Sequence, residues 1–172
     1  MRRLHLLRHA KSSPDDGTDD HERPLSRRGR DDARRIGESL PAALGALDLV
    51  LCSTALRTRE TAALVLAGFA GPPRIAFEDS LYLAEFPRLM RRLRRLDERE
   101  GGVLVIGHNP GLHQLALALA AADSPCYRAL ASGKFPTAAR ASFAIATAWA
   151  SLDQSHHALS DYVTPKSLDD PD

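Results

Sequence analysis

Basic side chains that could bind an anion stand at three separate places in the chain, each within a few residues of the end of a strand-length apolar run. Arg8 and His9 form the first group, Arg57 is the second and His108 is the third. A guanidinium presents a planar fork of donors that matches the oxygens of a phosphate. A neutral imidazole is a competent nucleophile toward phosphorus, and neighbouring guanidinium groups disfavour its protonated form. A second imidazole, when protonated, could stabilise charge on a phosphoryl group in transfer.

These residues need strands and helices to bring them together, and the hydrophobic pattern predicts both in alternation. Strands are predicted at four apolar runs, which are residues 3–8, 47–52, 74–77 and 103–107. Helices are predicted where apolar residues recur at helical spacing, which is after the N-cap Ser26 and over residues 55–69, 86–97 and 110–122. Residues 9–25 and 123–140 are expected to be irregular, and residues 141–152 to form a final hairpin.

The predicted order of strands and helices is typical of an α/β fold. We expect a three-layer αβα sandwich with a mainly parallel open sheet and antiparallel strands at one edge. Ligands of such sheets bind beyond the carboxyl ends of the strands. The three basic segments would therefore meet at one edge, where the N-termini of the following helices add partial positive charge. The sequence thus predicts an anion site at that edge.

The amino-acid composition indicates an ordinary globular protein. The 172 residues are 44% apolar and 26% charged, which is ordinary for one globular domain over residues 1–172, with a polar tail over residues 153–172. A net charge of +1 gives no indication of a nucleic-acid partner. The two cysteines, Cys52 and Cys126, suit a reducing compartment. Because we find no signal-peptide pattern and no membrane-length apolar run, we expect a cytoplasmic protein without a membrane partner.

Four segments together resemble a known family. They are LRHAKS, RPLSRRG, LVLCSTALRTRETA and VLVIGHNPGL, and they lie in this order between about residues 3 and 120. The set is similar to the histidine phosphatase (phosphoglycerate mutase-like) superfamily. The Arg-His-Ala-Lys opening and the closing VTPKSL at residues 163–168 resemble its SixA-type branch of phosphohistidine phosphatases.

The resemblance implies a role for each basic residue. His9 would be the nucleophile that becomes phosphorylated, and Arg8 and Arg57 would bind the phosphoryl oxygens. His108 would be the second, stabilising histidine, and Lys11 is a further candidate for contact with phosphate. No cofactor and no metal ion are implied, since two arginines already neutralise the phosphate. The implied substrate is a protein that carries phosphohistidine.

A general acid is the part of the expected machinery that the sequence does not supply. Many family members carry a glutamate after the third strand, and here Glu78, Asp79 and Glu85 are available without a matching pattern. An alkoxide leaving group needs a proton from such an acid. The imidazole of phosphohistidine, protonated on its other nitrogen, leaves as a neutral base. The missing acid therefore favours P–N bonds, or esters with good leaving groups.

The sequence also leaves open other functions for the protein and other roles for some of its residues. The protein could be a phosphatase of small phosphorylated metabolites or aryl phosphates, or a phosphate-binding module without turnover. The basic run at residues 88–100 predicts an amphipathic helix, whose arginines form a solvated face or a docking surface for an acidic protein. His5, inside the first strand, is interpreted as a satisfied core or surface group, and Arg59 as a solvated or salt-bridging residue.

Overall fold

Six strands and five helices alternate along the chain in the computed structural model, which describes residues 1–154 and 156–169. The strands are β1 (Arg2–Arg8), β2 (Leu49–Ser53), β3 (Arg74–Glu78), β4 (Gly102–Gly107), β5 (Arg140–Ile145) and β6 (Ala158–Val163). The helices are α1 (Arg27–Leu44), α2 (Leu56–Val65), α3 (Phe86–Leu93), α4 (Gly111–Leu119) and α5 (Tyr127–Ser132). Short 3-10 turns lie at Asp20–Glu22, Asp79–Leu81, Trp149–Ser151 and Lys166–Leu168.

The sheet has the order β3-β2-β4-β1-β5-β6. Its first four strands are parallel, whereas β5 runs antiparallel to β1 and β6 antiparallel to β5. The predicted α/β fold with a mainly parallel sheet and antiparallel edge strands is therefore confirmed. The register places Arg8 opposite Gly107, so that β1 and β4 end side by side.

The two faces of the sheet bury separate apolar clusters. One cluster packs α1 and α2 against the sheet and includes Ile36, Leu40 and Val65. The other packs α3, α4 and α5 against the opposite face and includes Leu115 and Trp149. A strand that is buried on both faces has a continuous apolar sequence. Because β2 and β4 are buried throughout, both are recognisable as apolar runs in the sequence.

Helix α1 begins where its N-cap predicted. The hydroxyl of Ser26 accepts a hydrogen bond from the amide of Gly29 at 3.0 Å, which satisfies one of the free donors of the first turn. A Cβ built on Gly29 would lie 2.0 Å from the carbonyl oxygen of Lys11. Only glycine at this position lets the loop that follows His9 pass directly over the start of α1. The helix thereby supports one wall of the candidate site.

The C-terminal third differs from the sequence prediction. The second antiparallel strand, β6, lies within the segment predicted as a polar tail. The segment 141–152 contains most of β5 and a 3-10 turn instead of a hairpin. Trp149 is fully buried in that turn, so its apolar signal marks a core contact and not a strand. The segment 123–140, predicted to be irregular, contains the helix α5. None of the helices in the described ranges is long and apolar enough to cross a membrane.

Candidate active site

The carboxyl ends of β1 and β4 carry the two predicted histidines to one cleft. His9 follows the last residue of β1 and His108 follows the last residue of β4, and their ring centroids lie 5.3 Å apart. Arg57 enters from the first turn of α2. The cleft has a volume of about 400 Å³. It is lined by Arg8, His9, Lys11, Ser12, Asp20, Arg23, Arg57, Leu83, His108, Asn109 and Thr137.

The imidazole of His9 is held in one tautomer. Its Nδ1 lies 2.7 Å from the backbone carbonyl oxygen of Ala10, and because a carbonyl only accepts, Nδ1 must carry the proton. The other nitrogen, Nε2, is therefore left with its lone pair. Burial lowers the pKa of His9 to about 4, and the positive charges of Arg57 and Arg8 act in the same direction. At neutral pH the ring is an uncharged potential nucleophile.

His108 is oriented by two polar neighbours. Its Nε2 lies 2.7 Å from the hydroxyl of Ser53, and its Nδ1 lies 3.4 Å from an Nη of Arg57. Since a guanidinium only donates, Nδ1 is the acceptor and Nε2 carries the proton. Burial, with the neighbouring His9 imidazole and the charge of Arg57, lowers the pKa of His108 to about 3. The second histidine is thus neutral without a bound anion, and a phosphoryl dianion is what would raise its pKa.

The two arginines line the cleft, and each has a buried Nε. Nε of Arg8 and Nε of Arg57 are both buried and have no hydrogen-bond partner among the residues the structure describes. One Nη of Arg8 donates to the carbonyl oxygen of Phe135 at 3.0 Å, which anchors its other end. Unpaired buried N–H groups are costly, and both arginines line the cleft, where an anion could accept from them.

Helix α2 ties Arg57 to the loop that carries His9. The hydroxyl of Thr61 accepts from the amide of Ala10 at 3.0 Å and donates to the carbonyl of Arg57 at 2.7 Å. Both partners are buried. The nucleophile loop and the arginine helix are therefore coupled through one hydroxyl, which explains why threonine stands four residues after the arginine.

Asp20 is a site residue that the sequence reading missed. Its carboxylate accepts from Nη2 of Arg57 at 3.0 Å, from Arg23 at 2.8 Å and from the hydroxyl of Tyr82 at 2.5 Å. The hydrogen bond from Tyr82, with those from the arginines, holds the pKa of Asp20 well below its usual range. Its backbone carbonyl also accepts from Nη1 of Arg57 at 2.6 Å. A phosphoryl group that binds this fork must replace or share the contacts of Asp20.

Tyr82 and residues 135–139 contact the side chains that line the cleft, and no sequence signal pointed to them. The Tyr82 ring lies edge-on to His108 with centroids 5.5 Å apart. The carbonyl of Phe135 accepts from Arg8 and from the side-chain amide of Asn109. Ala138 has a positive φ of 61° and donates its amide to the carbonyls at the end of β1. Unusual backbone of this kind clusters at functional sites.

The acid candidates from the sequence do not line the cleft. Glu78 binds Arg92 of α3 through both of its oxygens, with contacts down to 2.7 Å. Asp79 accepts from the hydroxyl of Thr54 at 2.7 Å, and Glu85 lines a neighbouring groove. Within the described part of the chain, Asp20 is the one carboxylate among the cleft-lining residues. The segment after β3, where the sequence offered three candidates for a general acid, therefore places none of these three carboxylates in the cleft.

The charge of the cleft is positive. Four of its lining residues are cationic, namely Arg8, Lys11, Arg23 and Arg57, against the single carboxylate. Arg23 donates to the hydroxyl of Ser12 and to the carbonyl of Ser13, both at 2.9 Å, and so braces the loop after His9. Among residues 1–154 and 156–169, no cluster of three or more His, Cys, Asp or Glu residues could hold a metal ion.

Comparisons with known proteins agree with this geometry. Residues 4–81 match the family profile described as the histidine phosphatase superfamily, branch 1. The uncharacterized protein Rv1276c of Mycobacterium tuberculosis is 39% identical over 163 residues, which are 93% of this chain and 100% of that protein.

Two solved structures share both fold and sequence. One is a candidate phosphohistidine phosphatase SixA from Nakamurella multipartitia, with 29% identity and a TM-score of 0.82 over 95% of this chain and 96% of the other. A second candidate phosphohistidine phosphatase SixA, from Agrobacterium tumefaciens, has 27% identity and a TM-score of 0.79 over 95% and 98% of the two chains.

Proposed function

The chain belongs to the histidine phosphatase superfamily and to its SixA-type branch, and from that premise we propose that it hydrolyses the P–N bond of phosphohistidine in proteins through a phosphohistidine intermediate on His9. The observation that carries the proposal is the state of His9. Its Nδ1 is occupied by the carbonyl of Ala10, and its Nε2 keeps a lone pair inside a positively charged cleft.

The first step forms one bond and breaks another. Nε2 of His9 attacks phosphorus, and the bond from phosphorus to the substrate imidazole breaks with its electron pair going to that imidazole. Because the other nitrogen of the leaving ring carries a proton, the ring departs as neutral histidine. Arg8 and Arg57 hold the phosphoryl oxygens, and their unpaired Nε groups are donors already in place.

The second step releases the phosphate. Water attacks phosphorus on His9, the bond to Nε2 breaks, and the products are inorganic phosphate and neutral His9. The carbonyl of Ala10 holds the Nδ1 proton throughout, so the ring leaves phosphorus as the same tautomer in which it attacked. His108 becomes a charged donor when the phosphoryl dianion offsets the nearby arginines.

The P–N bond is favoured over an alkyl phosphate ester because no protonated carboxyl group lines the cleft in the part of the chain that the structure describes. Asp20 is ionised by its three donors and cannot give a proton to an alkoxide. A phosphohistidine needs no such donor, since its leaving imidazole has an ordinary pKa near 6.5. Aryl phosphates, with weakly basic leaving groups, fall between these cases.

An activity panel tests the proposal. The same enzyme preparation is given a protein phosphorylated on histidine with phosphoramidate, free phosphohistidine, an aryl phosphate and a set of sugar phosphates. We expect the two phosphohistidine substrates to have the highest kcat/KM and the sugar phosphates the lowest. A higher kcat/KM for a sugar phosphate would overturn the proposal in favour of a metabolite phosphatase, and phosphate binding without release on any substrate would indicate a binding module.

A cytoplasmic location remains a prediction. It rests on the two cysteines, which are unpaired in the structure, with Cys52 buried and Cys126 partly buried. A fractionation experiment with the full chain would test it.

A further inference from the structure

A second groove meets the catalytic cleft at Leu83. The groove has a volume of about 340 Å³ and is lined by Leu83, Ala84, Glu85, Pro87, Arg88 and Arg91. Leu83 also lines the cleft that contains His9. The two concave surfaces therefore lie next to each other, with one apolar side chain at their boundary. A polypeptide whose phosphohistidine enters the cleft has a path for its neighbouring residues along this groove.

Packing in the protein core explains neither the exposure of the Leu83 side chain nor its backbone conformation. Its side chain is 51% exposed, and its backbone has a φ of 48°. A bulky residue rarely adopts the left-handed region, and such a conformation persists where the surroundings hold it in place. An exposed leucine in a strained turn does not contribute to the apolar clusters. Its position between the cleft and the groove gives it a partner when a peptide is bound.

The groove is held rigidly against the sheet. A Cβ built on Gly111, the first residue of α4, would lie 2.0 Å from the carbonyl oxygen of Ala84. The backbone next to Leu83 therefore passes directly over the N-terminus of α4. Helix α4 follows His108, so the same helix positions the catalytic cleft and the groove.

The arginines of α3 separate into two kinds. Arg92 turns back toward the sheet and binds Glu78 through both of its oxygens. Arg88 and Arg91 are exposed, line the groove and have no carboxylate or hydrogen-bond acceptor among the residues the structure describes. Glu85 offsets one of their two charges, so the three charged residues of the groove leave it positive by one.

We infer that this groove, here called the α3 groove, binds an acidic segment of the protein that carries the phosphohistidine. An apolar residue beside the phosphohistidine packs on Leu83, and acidic side chains further along pair with Arg88 and Arg91. The inference rests on the proposed function and names the chemistry of its partner. It also assigns the basic run, which the sequence left between a solvated face and a docking surface, to docking through two of its members.

The experiment compares three probes at low salt. They are free phosphohistidine and two synthetic peptides of equal length, each with one histidine phosphorylated by phosphoramidate and an adjacent leucine. One peptide has aspartate and glutamate beyond the leucine, and the other has serine and glutamine. Exposed ion pairs are individually weak, so we expect a kcat/KM about 3- to 10-fold higher for the acidic peptide, with the difference shrinking as salt screens it.

The decisive experiment reverses the charges of the two groove arginines. The double variant Arg88→Glu/Arg91→Glu should lower kcat/KM for the acidic peptide roughly 10-fold and leave free phosphohistidine unchanged. Glu85→Gln should shift the preference in the opposite direction, toward the acidic peptide. The matched control is Arg34→Glu/Arg99→Glu, which reverses two exposed arginines away from the groove and should leave the peptide preference as it is. The rate on free phosphohistidine reports whether each variant is folded.

The outcomes separate the two proposals. If free phosphohistidine is hydrolysed but the two peptides are turned over equally, the α3 groove does not bind acidic segments and only this inference is wrong. The same holds if the groove and control variants lose preference alike. If neither free phosphohistidine nor either peptide is hydrolysed, the proposed function is wrong and the inference falls with it.

Discussion

Strand β1 carries two buried histidines with different surroundings. His9, just beyond its carboxyl end, lines the cleft, whereas His5 lies in mid-strand between β4 and β5. Nδ1 of His5 lies 2.9 Å from the hydroxyl of Ser142, which also accepts from Arg140. Arg140 in turn donates to Asp161 at 2.6 Å. Each histidine thus belongs to a cluster with an arginine and a carboxylate.

The two clusters also share their electrostatics. Burial and, to a smaller extent, nearby arginines lower the pKa of His5 to about 3 and that of His9 to about 4. A depressed histidine pKa beside an arginine therefore does not mark an active site in this protein. What distinguishes His9 is its place at a strand end, with an open cleft before it. The comparison assigns chemistry to one cluster and structural support to the other.

The largest expected effect is loss of the nucleophile. His9→Gln should lower turnover by roughly 10⁴-fold or more and abolish the acid-labile phosphoenzyme, because no other side chain replaces Nε2. His5→Gln, the matched change four residues earlier, should keep turnover within a few-fold. Rapid quench with radiolabelled phosphohistidine measures both. The assignment fails if His9→Gln still yields the labelled adduct, or if the His5 variant loses it.

We expect the arginine beside each histidine to differ in the same way, with Arg57 needed for turnover and Arg140 for stability. Arg57→Lys keeps the charge but loses the fork, so kcat should fall about 10²- to 10³-fold, by more than vanadate binding weakens. Arg140→Lys should leave kcat nearly unchanged and lower the free energy of unfolding by about 1–2 kcal/mol, through weaker bonds to Ser142 and Asp161. Steady-state kinetics, vanadate inhibition and urea titration distinguish these outcomes.

Arg59→Lys is the local control for that experiment. Arg59 lies two residues from Arg57, is 44% exposed and donates to the carbonyl of Thr54 at 3.0 Å. We expect it to be nearly silent in both kinetics and stability. A crippled Arg59→Lys beside an unaffected Arg57→Lys would show that the wrong arginine has been placed in the cleft.

The pH dependence of activity should report His9. Its neutral form is the nucleophile and its pKa is lowered to about 4, so phosphoenzyme formation should stay level as the pH falls through 6.5 and drop only near 4. An aryl phosphate is the suitable substrate, since phosphohistidine itself is acid-labile. If the rate of phosphoenzyme formation instead falls around pH 6.5, the pKa of the nucleophile is not depressed.

The pH dependence of stability should report His5. Between its folded pKa of about 3 and the ordinary value near 6.5, the unfolded chain binds the proton more readily. The contribution of neutral His5 to the free energy of unfolding is therefore full above pH 6.5 and is lost as the pH falls toward 3. Urea titrations of the wild type and His5→Gln at several pH values should converge on acidification. Parallel curves would contradict the assignment.

The smallest expected effect is that of chelation. The arginines of the cleft already neutralise a phosphoryl dianion, so EDTA should leave kcat/KM unchanged. Strong inhibition that one added divalent ion reverses would show that the positive charge of the site is incomplete without a metal.

Local patterns in the sequence determined the strands and most of the helices that hold the site. The apolar runs of β1 and β4 and the N-cap Ser26 are signals within a few residues, and each was found where predicted. Because parallel strands end at a common edge, their order alone predicted that His9, Arg57 and His108 would meet. The structure brings them to one cleft.

The tertiary structure decided which polar groups surround those residues. Asp20 reaches Arg57 across 37 positions, and the carbonyl of Phe135 reaches Arg8 across 127. Glu78, by contrast, is drawn to Arg92 and away from the cleft. Neither an Asp in a polar loop nor a backbone carbonyl has a local sequence signature, since its partner is set by how distant segments pack. The tautomer of His9 and its low pKa follow from those same contacts and burial, which exist only in the folded chain.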